Sequence, residues 1–279
     1  MRSGFRCLLL GLIVMTVVSG TVIADERIET FTFEDIHSID IETISGSIRI
    51  CPGDESRFIV ELINDLEEPE LLDPELEVDD GELFIEENFI GNNVRGETYW
   101  TVYLPKSASL RSIECNSASG DISFEEFEAK FIETESASGK ISVNSVGTKE
   151  LVLSNASGKI FVEDAEIDKE GEMSSASGEV KLYLPHLPSK RLEASSASGD
   201  VVLKVPPFGK NFSMTLMKRA DKGKIKCPFE YTEKETIRLH KNDRYLTDRY
   251  LVKRGKGGPD IKLRTASGTI KIETNTKGK

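Results

Sequence analysis

The sequence predicts an all-β fold: a single-stranded parallel β-solenoid of ~20-residue coils with an N-terminal β cap. Three observations predict it. A four-residue string recurs as Ser117-Ala118-Ser119-Gly120, Ser136-Ala137-Ser138-Gly139, Asn155-Ala156-Ser157-Gly158, Ser175-Ala176-Ser177-Gly178 and Ser196-Ala197-Ser198-Gly199, with a late copy at Thr265-Ala266-Ser267-Gly268 and a worn early one at Thr43-Ile44-Ser45-Gly46. The glycines from 120 to 199 are spaced 19, 19, 20 and 21 residues apart. The flanks alternate: Ile48, Ile122, Ile141, Ile160, Val180, Val201 and Ile270 lie two residues after each glycine, and apolar residues lie four after.

Period-2 alternation of β-branched and apolar residues marks a strand with one buried face. Apolar pairs such as Ile113 and Cys115, Leu151 and Leu153, Ile261 and Leu263, or Ile39 and Ile41 stand seven and five residues before the glycine, so a second strand precedes each motif. The apolar parity shifts at the motif, and a glycine there supplies backbone freedom that a Cβ denies. Each repeat therefore reads as strand, corner, strand and a loop of variable length. So short a unit cannot bury its own face, and neighbours must stack. At ~4.8 Å per coil the five central copies span about 24 Å.

Ser117, Ser136, Asn155, Ser175 and Ser196 share the inward parity. They read as a polar ladder packed inside the corner; the competing reading is a row of hydroxyls offered to a ligand. Repetition at every coil is what packing demands, whereas a catalytic site is usually one break in a pattern.

The chain divides into a signal peptide (1–24), an N-terminal β cap with the first repeat (25–112), regular solenoid repeats (113–205), and irregular C-terminal coils with the final repeat (206–279). Arg2 and Arg6 precede an apolar run from Cys7 to Val18, and Val22-Ile23-Ala24 sets small or medium residues before Asp25. That pattern is an export signal cleaved after Ala24. The run is too short for a spanning helix, which needs ~20 apolar residues. No second apolar segment follows. In the cap region Arg57–Ile63, Leu83–Glu87 and Glu97–Leu104 alternate, and the acidic stretch from Glu67 to Asp80 reads as an exposed loop. Tyr103-Leu104-Pro105 and Tyr183-Leu184-Pro185 each lead into a further motif, which suggests a longer duplicated unit. Gly223-Lys224-Ile225 looks like a worn copy, and Gly255 to Pro259 a link into the last one.

The formal net charge is −12, from 48 acidic and 36 basic residues. That excludes duplex nucleic acid as the main partner, because phosphate contacts need surplus Lys and Arg. Residues 25–100 hold 23 acids and 4 bases, whereas 201–279 hold 8 acids and 20 bases. With sequence order kept in space, the rod is a charge dipole. Head-to-tail self-association, or attraction of the basic end to anionic lipid or surface polymer, follows as an expectation.

No catalytic constellation is legible. His37, His186 and His240 are isolated. There is no zinc-protease helix motif, nucleophile elbow or phosphate loop. Catalytic, cofactor and metal residues are accordingly expected to be none. Glu77, Asp79, Asp80 and Glu82 could ligate calcium, but a solvated acidic loop is the plainer reading. Cys51, Cys115 and Cys227 form neither a disulfide framework nor a metal pair, and read as small buried hydrophobes. Asn155-Ala156-Ser157 and Asn211-Phe212-Ser213 match the glycosylation pattern, the first inside the repeat core.

The repeated Ser-Ala-Ser-Gly-(Asp/Lys)-(Ile/Val), the closing run from Gly257 to Ile270 and the opening Ile39–Ile50 resemble the "putative adhesin" family of exported prokaryotic β-strand-repeat proteins, a domain of unknown function. The resemblance covers roughly residues 36–273. It implies a β-solenoid and an envelope or extracellular location, and offers no catalytic residues. The functional expectation is a non-enzymatic, adhesin-like binding or scaffold module whose partner is an envelope protein or surface polymer. The alternatives are a carbohydrate-active β-helix enzyme, which needs carboxylate clusters and aromatic platforms, and an extracytoplasmic sensing domain working with a membrane partner. Only 7% of the chain is aromatic, which weighs against the enzyme.

Overall fold

The computed structural model describes residues 27–274 except 92, 207, 208, 210, 240 and 242. The expected signal segment and His240 lie outside the described residues. The strands in chain order begin with β1 (Arg27–Phe33), β2 (Ser38–Thr43), β3 (Ser47–Pro52), β4 (Phe58–Leu66), β5 (Leu72–Asp79), β6 (Glu82–Phe89) and β7 (Gly96–Leu104). The regular part follows as β8 (Leu110–Ser117), β9 (Ile122–Glu125), β10 (Glu128–Ser136), β11 (Ile141–Asn144), β12 (Gly147–Asn155), β13 (Ile160–Glu163), β14 (Glu166–Ser175), β15 (Val180–Tyr183), β16 (Arg191–Ser196) and β17 (Val201–Val205). The chain finishes with β18 (Phe212–Arg219), β19 (Lys224–Lys226), β20 (Glu233–Ile237), β21 (Thr247–Arg254), β22 (Asp260–Thr265) and β23 (Thr269–Thr274). No α-helix occurs among the described residues.

The strands form two long sheets, ordered β1-β4-β7-β3-β9-β11-β13-β15-β17-β23-β19 and β20-β21-β18-β22-β16-β14-β12-β10-β8-β2-β6-β5. Each coil gives one strand to each sheet, and coils pair in parallel, in exact motif register: Ile141 opposes Ile122 and Ile160, and Ser136 opposes Ser117 and Asn155. The inward residues two and four after the glycine, with those seven and five before it, form the core between the sheets. The two-sheet, solenoid-like stack is what the alternation dictates.

Sequence order is not kept in space. The final motif strands β22 and β23 lie directly beside β16 and β17, while β18 and β19 are displaced outward. At the other end β2 and β3 lie beside β8 and β9, with β6 and β7 outside them. The corner explains both exchanges. In the motif coils after the first, the side chain three residues before the glycine accepts from that glycine's N–H, as at Ser117 Oγ (2.8 Å), Ser136 Oγ (3.0 Å), Ser196 Oγ (2.8 Å) and Thr265 Oγ1 (2.9 Å). Several of the same groups also donate to the preceding coil's glycine carbonyl, as from Ser196 to Gly178 (2.8 Å) and Thr265 to Gly199 (2.9 Å). Along the stack a second motif corner completes this bond set, and at the outermost corner the Glu87 carboxylate stands in for one. Coils with the motif therefore attach to one another, and those without it are left at the ends. The ladder is internal packing, with its members at most 6% exposed.

Three further points differ from, or extend, the sequence expectation. The stretch from Glu67 to Asp80 is not simply a loop: after a short turn at Pro69–Leu71, β5 pairs antiparallel with β6, Leu72 opposite Phe89 and Leu76 opposite Ile85. Its alternation of Leu72, Pro74, Leu76 and Val78 is the signal, and Pro74 is tolerated because β5 is an edge strand. Asp80 and Gly81, at φ +47° and +74°, make the two-residue hairpin turn that Asp-Gly favours. The second bend of each regular coil turns on one left-handed residue, Glu126, Ser145 or Asp164, at φ +54°, +53° and +54°.

One core position carries a misfit. Thr134 takes the place held by Cys115 and Leu153 in neighbouring coils, is fully buried, and its Oγ1 has no partner. Thr134→Val keeps the shape and removes the unpaired hydroxyl. It is expected to raise stability by about 1 kcal/mol in a denaturant melt; an unchanged or lower midpoint would show that the hydroxyl is satisfied.

Candidate binding surfaces

The outward side of the β2–β22 sheet begins acidic. Asp40 lies in register between Phe84 and Glu114, with Glu133 next, and Glu42 lies beside Glu86. Toward the other end the carboxylates are paired: Arg191 reaches Glu170, Glu172 and Glu193 at 3.4–3.5 Å, and Lys262 reaches Glu193 at 2.8 Å. Asp40 Oδ1 is buried without a partner. Burial first, then the charges of Glu114, Glu42 and Glu82, push the Asp40 carboxyl from 3.8 up to about 6.

A pKa raised on folding means that folding favours the protonated form. The stability linked to Asp40 is complete below about pH 4 and lost as pH rises through about 6. Asp40→Asn is therefore expected to stabilise the protein by about 1–2 kcal/mol at pH 7.5, allowing for its partial solvent contact, and to change little at pH 4. Thermal melts at the two pH values check this; an equal effect at both would remove the charge argument.

Among the concavities formed by the described residues, three bear on binding. A shallow groove of about 710 Å³ follows the corners, floored by Ala118, Ala137, Ala156 and Ala176. An open recess of about 460 Å³ is lined by Ser109, Glu128, Lys130, Thr148, Glu166 and His186 among others. It lies where the tight turns at 126, 145 and 164 are flanked by two longer loops, 105–109 and 184–190. Those loops grow from the duplicated Tyr-Leu-Pro triplets, so the duplication frames a recess. The third cavity, about 200 Å³, lies in the terminal coil and is lined by Lys218, Arg219, Arg244, Tyr245, Arg264 and Thr265 among others. Here Lys218 pairs with Asp248 at 2.8 Å, and Arg219 forks onto Asp221 at 2.5 and 2.8 Å while its guanidinium lies 4.0 Å from the Tyr245 ring centre. Further along the same sheet, Lys234 of β20 lies over Tyr231 at 4.7 Å, and at the opposite end of β18, beside Phe212, Arg254 lies over Phe229 at 5.0 Å.

The structure separates the residues that sequence reading singled out. Asp79 and Glu82 face each other across the β5–β6 hairpin, and Asp80 forms its turn. No cluster of three or more metal-ligating side chains is present among the described residues. His37 is half-buried against Ser38, and His186 is exposed at the recess. Cys51 and Cys115 are buried, Cys227 is half-buried, and all three are free. Burial pushes each thiol up, Cys115 furthest, which disfavours the reactive thiolate. Asn155 is locked in the corner by its bond to the Gly139 carbonyl, so its sequon is sterically closed. Sequence reading missed the cation–aromatic cluster, because its members come from separate strands and loops between 212 and 264.

Three of the solved structures similar to this chain illustrate the likeness. A "putative adhesin" from Bacteroides fragilis is 12% identical at a TM-score of 0.45, covering 88% of this chain and 96% of its own. A "putative adhesin" from Parabacteroides distasonis is 14% identical at 0.43, with 88% and 96% covered. A "putative lipid binding protein" from the same species is 14% identical at 0.47, with 89% and 96% covered. No curated protein matches. Residues 36–273 match one family across nearly all the described strands, and on that match the chain belongs to the Toastrack DUF4097 family.

Proposed function

We propose that the protein is a non-enzymatic binding or scaffold module of the cell envelope, exported by an N-terminal signal cleaved after Ala24. One observation carries the reading: the stack presents a continuous outward surface, in register across successive coils, that grades from clustered carboxylates at one end to cations and aromatics at the other. A surface built by repetition suits an extended partner, such as an envelope protein or polymer, better than a small substrate at one point. The antiparallel strands β1, β4 and β5 at one end and β20 and β21 at the other serve as caps, closing the stack against open-ended pairing.

The test is binding of the purified exported chain to envelopes isolated from its own cells. Saturable binding that untagged protein competes away, together with a processed N-terminus at Asp25, is the expected result. A chain that retains Met1 and fractionates with the cytosol, or one that shows no saturable binding, would overturn the reading.

A further inference from the structure

The terminal coil carries the most specific chemistry on the surface. The N–H of Ala220, just after β18, bonds to the Leu246 carbonyl at 2.9 Å. That bond brings the segment before β21 against the turn leading into β19. Tyr245 and Leu246, consecutive in sequence, are 46% and 44% exposed there. Arg219 covers one side of the Tyr245 ring at 4.0 Å, and Arg244 lies 5.8 Å from its centre. Lys222, Lys224 and Lys226 are exposed on the adjoining turn and strand, and none makes an ion pair with a described residue. Residues 206–259 hold 14 basic and 6 acidic side chains.

We propose that this end of the stack seats on an anionic phospholipid surface, with Tyr245 and Leu246 entering the headgroup boundary and Lys222, Lys224 and Arg244 facing the phosphates. The proposal deepens the binding-module reading by naming a partner for one end. An aliphatic tip beside a phenol ring lowers its free energy at the boundary between headgroups and acyl chains, and surrounding cations gain from the negative surface potential. The acidic end, with 23 carboxylates against 4 cations in residues 25–100, is repelled by the same surface and points away. A second copy docking head to tail fits less well. The two sheet edges here are β19, three residues with a lysine at each end, and β20, whose Glu233, Lys234 and Glu235 put three charges in five residues, and both are too short and too charged to continue a partner's sheet.

The experiment uses the exported, processed chain and vesicles of phosphatidylcholine with or without about a third phosphatidylglycerol. The expected result is co-sedimentation with the anionic vesicles only, at ~0.15 M salt, and release at ~1 M. Tyr245→Ser combined with Leu246→Ser, and separately Lys222→Glu combined with Lys224→Glu, should each weaken partition about tenfold or more. Leu246→Trp adds a direct reporter: Trp100 is fully buried, so a blue shift on anionic vesicles comes from position 246. Equal binding to neutral vesicles, partition unchanged in both double variants, or no shift in Leu246→Trp would overturn the proposal. So would a shift that appears without vesicles as protein concentration rises, because that is docking between copies. No cell fraction is used, so failure here leaves the envelope-binding reading standing.

Discussion

Gly158→Val is expected to prevent folding, and Gly158→Ala to come close to doing so. A Cβ at this position would lie 1.8 Å from the Gly139 carbonyl oxygen and 2.7 Å from its carbon, with the Asn155 side-chain nitrogen at 2.6 Å. Ordinary contact needs more than 3 Å, and the obstructing atoms are backbone in a parallel ladder that cannot yield locally. The coils would have to part, breaking the corner bonds from Ala156 to Ser136 and from Ser157 to Ala137, each 3.0 Å. A cost of about 4 kcal/mol or more is a large share of a domain's stability. Gly147→Ala is the control: its Cβ would meet only the Glu128 side chain, nearest at 3.1 Å, and should cost less than about 1 kcal/mol. Soluble yield and denaturant midpoints of the two alanine variants decide it. Equal midpoints would mean that the stack can open at the corner at little cost.

The same glycines show what was legible in the sequence and why. Their spacing located every corner, and the alternating flanks located the core rows. The shift of parity points to backbone freedom as the glycine's role, yet the motif glycines from Gly46 to Gly199 and Gly268 do not lie at positive φ, and Gly223 of the worn copy does, at +72°. The corner needs glycine because the neighbouring coil's carbonyl occupies the space of a Cβ, a fact about the next coil rather than the local chain. The exchanged order at the two ends was hidden for a related reason. Local pattern identifies Thr265–Gly268 as a corner but cannot say which corner it joins. The β5 edge was obscured by charge: four acidic residues outweighed the alternation of Leu72, Leu76 and Val78.

The candidate surfaces were legible only where they followed from repetition. The paired Tyr-Leu-Pro triplets announced a duplication, and the structure turns them into the two walls of a recess. The charge asymmetry survives the exchange of coils because β6, β7 and their antiparallel neighbours remain at one end and β18 to β21 at the other. The Tyr245 cluster, in contrast, joins Arg219 on β18, Arg244 and Tyr245 before β21, and Arg264 on β22, three elements far apart in sequence that no repeat relates. Lys262 and Arg264 meet the terminal coil because β22 is inserted between β16 and β18.

Glu87→Ala is expected to rank beside the glycine substitutions, for a reason specific to the first corner. In every later corner the backbone N–H groups bond to carbonyls of the corner before, as from Ala176 to Asn155 at 3.0 Å and Ser177 to Ala156 at 3.1 Å. The corner at Thr43–Gly46 has no motif corner before it. Glu87, on β6 in the coil outside, takes that place: its Oε2 accepts the N–H groups of Ile44, Ser45 and Gly46 at 2.7, 2.8 and 3.1 Å. Its Oε1 accepts from the Thr98 hydroxyl and from the Trp100 indole at 3.4 Å. The residue is 1% exposed. One carboxylate therefore terminates the hydrogen-bond ladder of the whole stack. Its removal strands five donors in a largely dry site and leaves a void, at a cost of about 3–5 kcal/mol. Glu87→Gln retains the shape but turns an amide donor toward groups that already donate, so it should recover only part of the loss. Denaturant melts of both variants provide the check. Full recovery by Gln would show that shape matters more than acceptor count, and a neutral Ala variant would show that the first corner does not need a terminating acceptor.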